Sequence, residues 1–194
     1  MNNKKDYVSY SSLKNNSILG FWIYLMSDCI IFSVLFIVHI IMSRHGYNGF
    51  LRENKLFSKF VLFLETLILL FCSLSFSLIK YFLKKSYKKC ILFFLFITLI
   101  LGSTFISLEF FEFLNIIEKG FFPNTNGYFS SFYVLLCIHG LHVIFGLLWI
   151  IISIFQFFFL KFSNFLYISL ICCCLFWHFL DIIWIILIFC VYFN

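Results

Sequence analysis

Three short stretches of this sequence place two ionisable side chains three residues apart inside long apolar runs. The stretches are LEFFEF, IHGLHV and WHFLD, and their ionisable residues are Glu109, Glu112, His139, His142, His178 and Asp181. Residues three apart lie on one face of an α-helix, so the two members of each pair can act together. Carboxylates and imidazoles on facing helices can bind a metal, relay protons or form hydrogen bonds that hold the helices together.

A structural role is the interpretation that the residues alone favour. Helical di-iron sites use Glu-x-x-His on each of two helices and one Glu from each of two others, and the Glu/Glu, His/His and His/Asp pairs do not match that set. Polar contacts between helices, each contributing about 1 kcal/mol, would fix the bundle instead. A metal site and a proton relay stay open as alternatives at this point.

Two further acids, Asp28 and Glu65, also lie inside apolar runs, and His39 lies near the end of the first run. Ionisable residues are rare within membrane-spanning helices and usually face the interior of the bundle. We therefore expect the side chains of both acids to be buried between helices.

The depth of each pair follows from a rise of about 1.5 Å per helical residue. On this arithmetic the His pair of IHGLHV and the His/Asp pair of WHFLD lie at similar depths. We therefore expect these two pairs to meet across the fourth and fifth apolar runs. Glu65 and the two glutamates of LEFFEF are expected at about one level, nearer the outer surface.

The elements that must position these residues are membrane-spanning helices. The chain has 194 residues, of which 63% are hydrophobic, against about 45–50% in a soluble domain. Its apolar residues form long runs and not the alternating pattern of a membrane β-barrel, so an all-α fold is predicted. Residues 1–17 are expected to form a polar N-terminal tail, and residues 18–194 a five-helix transmembrane domain. The predicted spans are 19–43, 60–80, 90–113, 128–160 and 165–192.

The distribution of Lys and Arg predicts the orientation of these spans. With five spans, nine of the 14 basic residues fall on the side of the N-terminus and five on the opposite side. Basic residues concentrate in cytoplasmic loops, so the N-terminus is expected in the cytoplasm and the C-terminus outside. The Lys80–Lys89 cluster is expected to face anionic cytoplasmic lipid.

Four segments together resemble subunit III of the haem–copper oxidases. They are GFWIYLMSDCIIFSVLF, LEFFEF, IHGLHVIFGLLW and LFWHFLDIIWI, they occur in the order typical of that family, and the resemblance covers residues 18–192. Five spans in place of seven, and the opening GFWIYLMSD, make the chain similar to the bacterial ubiquinol oxidase branch, of the cytochrome o or bo type.

The resemblance implies an accessory subunit of a proton-pumping terminal oxidase of the aerobic respiratory chain, in the bacterial inner membrane with a periplasmic C-terminus. Such a complex oxidises ubiquinol and reduces O2 to water. Its haems and copper are expected in subunit I, so this chain is expected to contribute no catalytic residue and to bind no metal or other cofactor. The expected partners are subunits I, II and IV and phospholipids held in a lipid-lined cleft, and no nucleic acid.

The resemblance also implies roles for the intramembrane polar residues. The three pairs match family positions that make internal polar contacts, and the chain would support the stability and proton uptake of subunit I. Asp28 matches a position where many family members carry a buried Glu linked to that proton uptake, and Glu65 is a further intramembrane acid. A stand-alone di-metal carboxylate oxidase and a small ion-coupled transporter are the alternatives.

Overall fold

The computed structural model describes residues 2–45, 59–85, 87–124, 126–159 and 164–192. These residues form five α-helices: α1 (Asn2–His45), α2 (Lys59–Lys85), α3 (Lys88–Glu118), α4 (Gly127–Phe159) and α5 (Asn164–Tyr192). All five are long and apolar enough to cross a membrane, which confirms the predicted five-span, all-α architecture.

The helices extend beyond the spans that hydropathy alone indicates. Residues 2–17 belong to α1, so the segment expected as a polar tail continues the first helix. This stretch contains neither Gly nor Pro, the two residues that most disfavour a helix interior. The candidate membrane span within α1 is Lys14–Ser43.

The end of α3 is set by Gly120. Its φ of 85° lies in the left-handed region, where a side chain would be strained. The Gly120 amide donates to the Ile117 carbonyl at 2.9 Å, and the Phe121 amide donates to the Ile116 carbonyl at 3.3 Å. These two bonds form a Schellman motif, which stops the helix and turns the chain towards α4.

Helix α5 lies at the centre of the bundle. It packs against α1, α2 and α4, whereas α3 packs against α2 and α4. In the most apolar 18-residue stretch of α5, 56% of the residues are buried, against 28–33% in the corresponding stretches of the other four helices. The orientation of α5 therefore decides which of its polar side chains meets which neighbour.

Trp177 of α5 fills the space where three other helices approach it. A Cβ added at Gly102 of α3 would lie 3.1 Å from its ring, and one added at Gly146 of α4 would lie 3.5 Å from it and 3.2 Å from Phe176. On the α2 side Phe76 stacks on the indole, with ring centroids 5.5 Å apart. Small residues let helices approach closely in a membrane, and here they make room for one large aromatic ring.

Candidate functional site

The intramembrane polar residues form three separate contacts, each between a different pair of helices. One joins α1 to α4, one joins α2 to α5, and one lies where α2 meets α3. The first contact takes one member of a predicted pair and the other two take both members, in each case with a partner from another helix.

The contact between α1 and α4 is formed by Asp28 and His142. Asp28 Oδ2 lies 3.9 Å from His142 Nε2, and the acid is buried, with 5% of its surface exposed. His142 Nδ1 lies 2.8 Å from the Ile138 carbonyl, which can only accept, so Nδ1 carries a hydrogen. Nε2 therefore faces Asp28, and the ring of Phe32 packs against the imidazole at 5.1 Å. The two side chains thus lie within ion-pair distance of each other, and an aromatic ring packs against the histidine.

The contact between α2 and α5 is centred on His178. Its Nδ1 is hydrogen-bonded to the Ser73 hydroxyl at 3.1 Å and lies 3.9 Å from Asp181 Oδ2 one turn along the same helix. Its Nε2 lies 3.5 Å from Cys174 Sγ, and that thiol also lies 3.7 Å from the Phe76 carbonyl of α2. His178 and its neighbours therefore hold α5 to α2.

The expected meeting of the two pairs of α4 and α5 is wrong. The polar contact of His142 with another helix is to α1 and that of His178 is to α2, although the rise per residue predicted similar depths for the two pairs. Depth along a helix axis does not fix rotation about it. Because Trp177 points towards the glycines of α3 and α4, its neighbour His178 is turned about 100° away from that side.

His139, the other member of the α4 pair, occupies an aromatic site. Its ring is fully buried, stacks on Trp184 of α5 with centroids 5.3 Å apart, and meets the edge of Phe105 of α3 at 6.2 Å. Neither ring nitrogen has a hydrogen-bond partner within the described ranges. This histidine therefore packs as an aromatic residue between three helices.

The third contact brings together the acids of α2 and α3. One small cavity is lined by Glu65, Glu109 and Glu112, the three acids that the depth estimate placed at about one level. Glu65 is 1% exposed and Glu109 is 8% exposed. A Cβ added at Gly140 would lie 3.3 Å from Glu109 Oε2, so this glycine of α4 makes room for the Glu109 carboxyl.

Several residues of these contacts gave no signal in the sequence. Ser73 is one of many serines, and its hydroxyl became important only through its place opposite His178. Ser131 likewise bonds His39 at 3.0 Å and forms a second polar tie between α1 and α4, where the imidazole packs against Tyr128 at 5.0 Å. Pairing a serine with a histidine about a hundred residues away requires the fold.

The polar residues of the described segments do not provide a metal-ligand set. No group of three or more His, Cys, Asp or Glu side chains that could hold a metal ion occurs among the residues described. The His/His, His/Asp and Glu/Glu pairs point to different neighbours, so their donors do not converge. The arrangement is suited to joining helices and to holding protons, and the described donors give no support to a di-metal site.

Nearly the whole chain is similar in sequence to one group of known proteins. It is 42% identical over 182 residues to a protein of Buchnera aphidicola subsp. Baizongia pistaciae named cytochrome bo(3) ubiquinol oxidase subunit 3, covering 94% of this chain and 93% of that one. A protein of the same name from Buchnera aphidicola subsp. Schizaphis graminum is 43% identical, covering 94% and 96%. One from Pseudomonas aeruginosa is 36% identical, covering 88% and 81%. Residues 10–194 match the family described as cytochrome c oxidase subunit III, so the chain belongs to that family.

Proposed function

We propose that this chain is the accessory subunit III of a proton-pumping ubiquinol oxidase, the terminal oxidase of an aerobic respiratory chain. The observation that carries the proposal is the match, along 94% of this chain, to relatives that bear the name of that subunit. The five spans and the order of the polar motifs support it. The chain alone is not a catalyst, and the oxidase activity belongs to the complex.

The function of the polar contacts, in this proposal, is to hold the bundle in shape. Asp28 with His142 and His39 with Ser131 join α1 to α4, while Ser73 joins α2 to α5 through His178. Helices in lipid gain little from the hydrophobic effect, so close packing and interhelical hydrogen bonds must hold them together. Any proton role of Asp28 would pass through His142, its nearest ionisable partner across helices.

The redox cofactors belong, in this proposal, to a different chain of the complex. A protein-bound copper ion needs several converging His or Cys donors, and the described part of this chain offers no group of three. The ligands would come from subunit I, and this chain would pack beside it together with subunits II and IV. Ubiquinol would be a substrate of the complex and not of this chain.

A groove between α1 and α5 is the proposed lipid-lined cleft. Its cavity volume is about 550 Å³, and most of its wall is apolar, with Trp22 and Phe36 on the α1 side and Ile182 on the α5 side. His178 also lines it. A lipid acyl chain would fit in this groove, because an acyl chain needs no hydrogen-bond partners.

The proposed location is the bacterial inner membrane, with the N-terminus in the cytoplasm and the C-terminus in the periplasm. The turn between α2 and α3 supports this orientation, because Lys80, Lys85, Lys88 and Lys89 are exposed around it. Exposed lysines at one end of two helices suit the anionic cytoplasmic leaflet.

Affinity purification tests the proposal. A tagged chain extracted in mild detergent should copurify with a haem-containing ubiquinol oxidase, and the chain separated from that complex should contain no stoichiometric iron or copper. About one iron or copper per isolated chain would support the di-metal alternative. Ion-driven uptake by the lone chain in liposomes would support the transporter alternative.

A further inference from the structure

The small cavity between α2 and α3 is enclosed by groups of two different kinds. Three carboxyl groups line it from α2 and α3, those of Glu65, Glu109 and Glu112. The residues that line it from α4 and α5 are apolar or aromatic, namely Phe132, Leu136, Trp184 and Leu187. The described charged groups at this cavity are therefore all acids.

Three polar atoms on the wall of this cavity have no protein partner in the described segments. They are Glu65 Oε1, Glu109 Oε1 and Trp184 Nε1, and each belongs to a side chain that is more than nine-tenths buried. Two are acceptors and one is a donor. An unpartnered buried polar group costs about 1–3 kcal/mol, so three beside one cavity point to a ligand that pairs with them.

The volume of the cavity limits how large that ligand can be. Its volume is about 20 Å³. One water molecule needs at least about 10–15 Å³ on this measure and two to four polar partners. A single water that accepts from the Trp184 indole and donates to Glu65 and Glu109 meets both requirements.

The charge of the site requires a proton as well. Carboxylates that line one small, largely buried cavity cannot all be ionised, because like charges at close range in low dielectric repel strongly. We propose that Glu65, Glu109, Glu112 and Trp184 form an internal site that binds one water molecule and holds a proton shared among the three carboxyl groups.

Glu109 connects this site to the surface of the bundle. Its side chain also lines an open groove of about 390 Å³ between α3 and α4, and Gly140 is another lining residue of that groove. The remaining wall of that groove is largely apolar, with Phe110 and Ile144 among its residues. The Glu109 carboxyl therefore gives a path for a proton between the site and this groove. The site does not depend on the proposed role in an oxidase.

Infrared spectroscopy of the full-length chain, in its native complex or in lipid nanodiscs, tests the site. At neutral pH the wild type should show a protonated-carboxyl C=O band that shifts in D2O and is lost or moved in Glu109→Gln. The band should move, without being lost, in Glu65→Gln and in Trp184→Phe, which removes the indole N–H but keeps an aromatic ring. Glu118→Gln, at the exposed end of α3, is the control and should leave the band unchanged.

Two results would overturn the site. One is a spectrum in which neither Glu109→Gln nor Glu65→Gln removes or moves a protonated-carboxyl band. The other is a band that changes when sodium is replaced by choline, which would assign the cavity to a metal cation. An electron-microscopy map of the wild-type chain needs no variant: well-resolved side chains of Glu65, Glu109 and Trp184 with no density between them would contradict the water.

Discussion

His142 Nε2 lies 3.9 Å from Asp28 Oδ2, so a histidine of the fourth helix faces the buried acid of the first. The sequence places both residues inside apolar runs, but it does not indicate that they are partners. The contact gives Asp28 a structural reason to be an acid, because its buried carboxyl faces an imidazole on another helix.

Replacement of Asp28 should weaken the packing of α1 against α4. Asp28→Leu removes the ionisable partner of His142 and should lower the free energy of unfolding by about 1 kcal/mol, the magnitude of a polar contact in a membrane bundle. Asp28→Asn keeps a polar group there and should cost less. Thermal unfolding in detergent measures both, with Ile30→Leu on the exposed side of α1 as the control. Equal stability of the Leu and Asn variants would contradict a polar contact.

Loss of the Ser73 hydroxyl should weaken the tie between α2 and α5. Ser73→Ala removes the hydrogen bond to His178 and should destabilise the bundle by about 0.6–1 kcal/mol. The matched control is Ser77→Ala, one turn further along α2 at an exposed position. The relevant measurement is the temperature at which half of the protein aggregates in detergent, and identical values for the two variants would speak against the bond.

A large side chain at Gly146 should disrupt the centre of the bundle. Even a Cβ there would lie 3.2 Å from Phe176 and 3.5 Å from Trp177, so the side chain of Gly146→Leu would push α4 away from α5. Overpacking of this kind costs about 1–3 kcal/mol or more. Gly20→Leu is the control, because nothing lies within 4 Å of a Cβ at that position. The yield of folded monomer in size-exclusion chromatography should fall for the first variant only.

The orientation of the chain can be tested with reporters at its two ends. An alkaline phosphatase fused after Asn194 should be active, since that enzyme folds only outside the cytoplasm, and a fluorescent protein fused before Met1 should be bright. Replacing Lys85, Lys88 and Lys89 by Asn should reduce the fraction of correctly oriented chains, because basic residues retain a loop in the cytoplasm. An inactive phosphatase at the C-terminus would reverse the proposed topology.

The five-helix fold was predictable because it depends mainly on the length and hydropathy of successive segments of the sequence. Runs of about 20 apolar residues define spans whatever their neighbours are. The rise per residue placed Glu65 at about the level of Glu109 and Glu112, with which it lines one cavity. The same reasoning failed for His142 and His178, because partner choice depends on helix rotation. That rotation is set by where a large side chain such as Trp177 finds space.

The helix boundaries and the serine partners were beyond sequence reasoning for different reasons. Nothing in residues 2–17 breaks a helix, so α1 continues where hydropathy suggested a tail. Ser73 and Ser131 acquire their importance only from a histidine on another helix, and a hydroxyl carries no periodic signal. The glycines beside the aromatic core were visible in the sequence, but the ring that each one accommodates was not.

The measurement that tests the account most directly separates assembly from turnover in a His178→Leu variant of the complex. The central claim is that the intramembrane polar residues hold this subunit in shape and take no part in the redox chemistry. The yield of assembled oxidase per cell should therefore fall, while ubiquinol oxidation per haem in the complexes that form should match the wild type. Normal assembly with turnover largely lost would contradict the claim and would place His178 in a proton or electron pathway.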